Sequence, residues 1–153
     1  MKFVAVEDVA APIALVWSHV ADLEAFEDRA RARIGAIQRR PPGPPAQGTV
    51  WFGKADVMGK KRDVTVTAAT IETWSRLTAE AATDGMQVNI DVDLAELGPR
   101  LTRLTVTTEA RARSLAARLM LQSAKLARKT LAKRYKGRIS DFAARIEKSA
   151  AKG

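Results

Sequence analysis

Between Thr49 and Arg113 apolar and polar side chains alternate with a period of two, the mark of strands with one buried face. The alternation predicts strands near 49–58, 61–73, 76–83, 86–96 and 101–111, broken at Met58-Gly59-Lys60, Thr73 to Ser75, Asp84-Gly85 and Gly98-Pro99. Asp-Gly is the strongest hairpin signal of the four, because both residues tolerate the positive φ of a tight turn. Links this short join neighbouring strands into an antiparallel meander. Ahead of it, residues 2–9 (KFVAVEDV) read as a strand. Pro12 then suits a first helical turn, and Ile13, Val16, Trp17 and Val20 recur at helical spacing. Asp22 caps a second short helix carrying Leu23, Phe26 and Ile34, and Ile34 to Gln38 read as a short strand. After the meander, Ser114 caps a long helix reaching about Ser149, with Gly137 as its expected weak point.

Strands grouped together and helices at the ends give an α+β class, one domain over residues 1–153. A sheet with one apolar face needs a cover, and the last helix is the only element long enough to supply it. The segment Arg39–Gly48 (RRPPGPPAQG) has four prolines, which lack the amide donor and hold φ fixed, so it reads as a stiff loop. Arg39, Pro42 and Pro45 also match a polyproline-ligand pattern.

Strand parity assigns the faces. In 86–96, Val88, Ile90, Val92 and Leu94 share one face and Gln87, Asn89, Asp91 and Asp93 the other. Burying the polar set without partners costs several kcal/mol, so the aliphatic set points inward. The same argument turns Thr102, Leu104, Val106 and Thr108 inward, with Leu77, Ala79 and Ala81, with Trp51, Gly53, Ala55 and Val57, and with Val64, Val66 and Ala68. Many of these are small, which leaves volume beneath one helix. On a helical wheel Met120, Ala124, Ala127, Leu131, Tyr135 and Phe142 share the stripe that should close the sheet. Arg118, Lys125, Lys129, Lys133 and Lys136 share a largely opposite stripe, with Leu115, Leu119 and Leu126 beside it.

Composition narrows the chemistry. No cysteine is present, which excludes disulfides and thiolate sites, and the single His19 excludes a multi-histidine metal cluster. His19 lies off the apolar stripe of its helix and reads as a surface residue. The carboxylates Asp22, Glu24, Glu27 and Asp28 gather at the second helix start, where they favour the positive end of its dipole. No catalytic residue, metal or cofactor is expected. No stretch reaches the roughly 18–20 apolar residues that span a bilayer, and Glu7 and Asp8 interrupt the start before a signal-peptide core develops. A cytoplasmic location follows, with peripheral contact to a membrane.

The net charge of +9 is uneven: residues 1–110 hold 13 Lys/Arg against 15 Asp/Glu, a balance of −2, and residues 111–153 hold 13 against 2, a balance of +11. The basicity belongs to the C-terminal element and points to an anionic partner there. Flanking leucines favour a membrane surface; stacking aromatics are missing from the stripe, which disfavours RNA. The same leucines would also serve a homodimer contact.

The segment Pro12-Ile-Ala-Leu-Val-Trp-Ser-His-Val-Ala-Asp22, with its Val16-Trp17 pair, resembles the first helix of the START-like superfamily, also called SRPBCC or the polyketide cyclase/dehydrase-like group. The element order over all 153 residues resembles it too. The resemblance implies a helix-grip architecture: a curved antiparallel sheet of about seven strands wrapped around the C-terminal helix, with two short helices after the first strand. It also implies a ligand cavity between sheet and helix. Its lining would be Trp51, Val57, Val66, Ala68, Ala79, Val88, Ile90, Val106, Met120, Ala127, Leu131 and Tyr135, suited to a lipid, quinone, polyketide or isoprenoid. Cyclases and dehydratases of the group place polar residues in that cavity, and this sequence departs from them, so carriage ranks first, docking of the basic helix on a membrane or RNA second, and catalysis third.

Overall fold

The computed structural model describes residues 1–57 and 59–152. The chain runs β1 (Lys2–Val9), α1 (Ile13–Val20), α2 (Leu23–Ile34), β2 (Ile37–Arg40), β3 (Val50–Val57), β4 (Lys60–Glu72), β5 (Arg76–Thr83), β6 (Met86–Gly98), β7 (Leu101–Ala112), α3 (Leu115–Leu126) and α4 (Arg128–Lys152). The strands form one antiparallel sheet in the order β1-β7-β6-β5-β4-β3-β2. The meander β3 to β7 is therefore sequential, and β1 closes against β7. This is the α+β class expected from the element order and the helix-grip arrangement that the resemblance implied.

Local chemistry explains the joints. At the β5–β6 hairpin Asp84 and Gly85 both take positive φ, 36° and 76°, which the right-handed twist of the flanking strands requires. A side chain at Gly85 would strike Ser114, and Arg113 donates its amide to the Gly85 carbonyl at 2.6 Å. The hairpin tip is thus docked on the start of α3. Ser114 caps that helix by accepting from the Ala117 amide at 3.1 Å, and Asp22 caps α2 through the Ala25 amide at 3.1 Å. At the expected break before β4, Gly59 has φ 80°; Met58 lies outside the described residues.

Three details depart from the sequence expectations. Ile34 ends α2, and the following short strand begins only at Ile37. The C-terminal helix breaks at Ala127 and not at Gly137, which sits inside α4. Ala127 has φ −103° and ψ 18°, and its amide reaches Ala124, a tightened last turn that ends α3. Finally, β4 carries a bulge between Ala68 and Thr70. The extra residue reverses parity, so Ala68 and Ile71 both face inward although they are three apart.

The core gathers at one end of the concave face. Val9, Val16, Leu104 and Ile146 are fully buried, with Trp17, Val20, Leu77, Val106 and Ala143 around them. α4 lies along β1, and α1 wedges between α4 and strands β6 and β7. Thr102, also fully buried, donates its hydroxyl to the Ala11 carbonyl at 2.9 Å, tying the α1 approach to β7. No helix among the described residues is long and apolar enough to cross a membrane.

Candidate functional site

The strand register sorts the concave face into rows that run across the sheet. Leu94 and Leu104 form one row; Ile71, Leu77, Val92, Val106 and Ala5 form the next. Both belong to the sealed core or pack against it. The third row, Ala68, Ala79, Ile90, Thr108 and Phe3, is transitional: Ala68 is buried, while Ala79 and Ile90 are partly exposed. The fourth row is Trp51, Val66, Ala81, Val88 and Ala110, all partly exposed. Beyond it lie Gly53, Val64, Thr83, Met86 and Ala112, again partly exposed. The inner wall is mostly apolar, interrupted by Glu7, Thr83, Thr108 and the rim residue Arg62, yet helices seal only one end of it. α3 approaches the sheet at β7 and α2 at β2 and β3, and the inward residues of the middle strands at the far end stay partly exposed.

Two arginine–carboxylate anchors border this open half. Glu27 on α2 is the most buried carboxylate at 8% exposure. It receives Arg31 at 2.8 Å, Arg39 Nε at 2.9 Å and the Trp51 indole N–H at 2.7 Å. This cluster fastens α2 to the β2–β3 edge and fixes the Trp51 ring on the inner wall. Arg62, at the other rim, donates to the Val57 carbonyl at 3.1 Å and pairs with Asp84 at 2.8 Å. Sequence reasoning missed both. Glu27 looked like one more first-turn carboxylate, and the signal for its role is the two arginines and the indole, which converge only in three dimensions. Arg39 also binds the Gly43 carbonyl at 2.7 Å. It is therefore held against its own chain, not presented with Pro42 and Pro45 to a partner.

Tyr135 of α4 closes the transitional row. Its hydroxyl donates to the Val106 carbonyl at 2.9 Å and lies 3.0 Å from the Thr108 hydroxyl, which leaves Thr108 to donate to it. Burial pushes this phenol above its ordinary range, partly opposed by the Thr108 hydrogen bond. Its ring stacks near Phe3 at 5.6 Å between centroids. The Tyr135 proton is therefore committed to the wall. By contrast, the Thr83 hydroxyl is buried and has no hydrogen-bond partner among the described residues. On the α2 side, Phe26 and Phe142 meet at 6.0 Å, clasping α2 to α4.

Of the residues proposed to line a cavity, Trp51, Val66, Ala79, Val88 and Ile90 share adjoining rows of the partly exposed wall. Ala68 is buried at the bulge, and Val106 is buried inside the sealed core. Val57 lies at the end of β3, and Met120, Leu131 and Tyr135 are half-buried on the helices. Ala127 departs from the expectation: it is exposed at the break between α3 and α4, because the tightened turn there takes it off the sheet-facing stripe. Arg118, Lys125, Lys129, Lys133 and Lys136 are all exposed.

Two concavities stand out on the outer surface. One, about 390 Å³, lies on the outer polar face of the sheet among Arg76, Glu80, Asn89, Asp91, Glu109 and Arg111. Its charges are largely spent on each other, since Arg76 pairs with Asp91 and Asp93, and Arg111 with Glu109. The other, about 190 Å³, lies at the seam of β1 and α4, lined by Lys2, Phe3, Val4, Arg128, Ala132, Tyr135 and Lys136.

No family model matches the sequence, and no curated protein matches it. Solved structures do match its fold over nearly the whole chain. Norcoclaurine synthase from Thalictrum flavum superposes with a TM-score of 0.68 at 12% identity, covering 100% of this chain and 87% of that one. The ZhuI aromatase/cyclase from Streptomyces sp. R1128 gives 0.64 at 18% identity, covering 96% and 93%. A START superfamily protein from Mycobacterium smegmatis gives 0.56 at 18% identity, covering 92% and 97%. The chain has the helix-grip fold shared by START, SRPBCC and related proteins.

Proposed function

We propose that this protein binds or carries an apolar or amphipathic small molecule, of lipid, quinone, polyketide or isoprenoid type, against the open half of the concave sheet. The observation that supports the reading is the fourth row: Val66, Ala81, Val88 and Ala110 lie side by side on the inner wall, apolar, small and incompletely covered. Leaving such a surface wet forgoes roughly 25 cal/mol for each Å² that a ligand would cover. The helix-grip folds it resembles include proteins named as START and as aromatase/cyclase, which is consistent with a ligand in this place. Catalysis ranks below carriage. The two charged groups bordering the space, Glu27 and Arg62, are already held in ion pairs, and the Tyr135 hydroxyl is bonded to the wall.

The test is native mass spectrometry of protein purified from its own host, followed by extraction of the bound molecule, with uptake of an environment-sensitive naphthalene dye as a second readout. Ala81→Trp should block dye uptake while leaving a cooperative fold. Undiminished uptake would remove the fourth row from the binding wall.

A further inference from the structure

The outer face of α3 has an organisation that ligand carriage does not explain. Ala117, Met120, Leu121 and Ala124 turn toward the protein, buried or half-buried. On the opposite side Leu115, Leu119 and Leu126 are 73%, 55% and 92% exposed. At 100° per residue these three fall within about 40° of one another, a single stripe about 16 Å long. Side chains of this kind scattered singly need no explanation, whereas three aligned on one helix do. Arg118 and Lys125 border the stripe along one side.

Charge identifies the occupant. From Arg113 to Arg138 the chain holds nine lysines and arginines and no aspartate or glutamate. None of Arg118, Lys125, Lys129, Lys133 or Lys136 makes an ion pair with a described residue. Just past the helix break, Lys2, Arg128 and Lys136 surround the β1–α4 notch, again with no acid in its lining. A second copy of this chain docked on the same stripe would set like charges against each other with nothing to neutralise them. A nucleic acid would satisfy the cations and leave three leucines in water. Apolar side chains beside unpaired cations match one surface, an anionic bilayer, where the leucines enter the acyl boundary and the cations meet phosphates.

We infer that α3 is an interfacial docking helix that seats the protein on an anionic phospholipid membrane, Leu115, Leu119 and Leu126 entering the surface and the cations of α3 and early α4 holding lipid phosphates, with the Lys2–Arg128–Lys136 notch receiving a headgroup. The break at Ala127 serves this arrangement by letting α3 lie on the membrane while α4 stays gripped by the sheet. The inference is independent of which ligand, if any, occupies the concave face.

Flotation of the full-length protein with vesicles tests it. Binding is expected to vesicles of phosphatidylcholine mixed with phosphatidylserine, to be absent with phosphatidylcholine alone, and to weaken as salt rises. Neutralising Lys125, Lys129 and Lys133 to glutamine should lower vesicle affinity on the order of 100-fold, since each near-surface cation contributes about fivefold. Leu119→Ser with Leu126→Ser, at unchanged charge and on exposed positions, should also cost most of the binding, with the circular dichroism spectrum and sedimentation unchanged. Mixed-lipid binding equal to wild type in the leucine variant would overturn the inference. So would failure of the wild type to float at low salt, a wild-type dimer that the leucine variant dissolves, or RNA binding tighter than vesicle binding and insensitive to the leucines.

Discussion

Toward the β6–β7 turn, Leu77, Leu104 and Val106 are sealed beneath Trp17, Ala143 and Ile146, with the partly buried Val92 packed against them. Toward the β5–β6 hairpin, Ala81, Val88, Met86 and Ala110 on the same strands and the same face stay partly exposed. The residue types differ little between the two ends. What differs is the cover: α1 and the second half of α4 converge on the first, while α3 and α2 only fringe the second. An apolar strand face is thus sealed core or uncovered wall according to what packs on it. In this fold a single sheet supplies both, the closed end carrying the energy that lets the other remain open.

Removing side chains at each end should show the asymmetry most strongly. Leu104→Ala and Ile146→Ala, both at fully buried positions, should each cost about 2–5 kcal/mol through lost burial and a residual cavity. Val88→Ala should cost less than about 1 kcal/mol, because its surroundings are already open. Urea unfolding of the three variants measures the contrast, and equal costs would mean that the open half is closed in solution. Next in size is the Glu27 anchor. Glu27→Ala strands Arg39 and the Trp51 indole, and should cost about 2–3 kcal/mol, visible also as a changed Trp51 environment in fluorescence. If α2 borders the open half as described, the same variant should alter dye uptake, whereas Leu104→Ala should not.

A smaller effect is expected at the boundary between the halves. Tyr135→Phe deletes hydrogen bonds to Val106 and Thr108 and should cost about 1 kcal/mol near neutral pH. It should also change the alkaline limb of stability. The folded-state pKa of Tyr135 is raised, so its contribution is complete below the unfolded value of about 10 and is lost as pH climbs through the folded one. The Phe variant should lose less stability than wild type across that alkaline window, measured by thermal melts. The smallest effect belongs to the outer face: Asp8→Asn removes a two-pronged pair with Arg103 at 2.9 and 3.2 Å. The Arg103 guanidinium holds the Asp8 carboxyl below its usual range, so the pair contributes above the ordinary carboxylate range and fades as pH falls through the depressed value. Being solvent-exposed, it should matter only at low salt.

Much of this was legible in the residues alone. Val88, Ile90, Val92 and Leu94 against Asn89, Asp91 and Asp93 define a two-faced strand because pleat geometry allows no other division. Asp84-Gly85 joins it to the preceding strand in a hairpin because few residue pairs accept positive φ twice. The Asp22 and Ser114 caps, the loop of prolines and the uneven charge likewise depend on covalent structure and nearest neighbours. These local rules were sufficient for the element order and hence for the α+β class, and the resemblance of the Pro12–Asp22 segment and of that order supplied the helix-grip arrangement.

The rest depended on distance in space. That Glu27 gathers Arg31, Arg39 and Trp51, that Ala69 is squeezed into a bulge so that Ile71 turns inward, and that the last helix breaks at Ala127 are all outcomes of packing between segments far apart in sequence. Periodicity names the face a side chain occupies, but not what lies opposite it. Only the assembled fold decided that Leu104 would be sealed and that Val66 and Val88 would stay partly uncovered, because burial belongs to the neighbours a residue acquires and not to the residue itself.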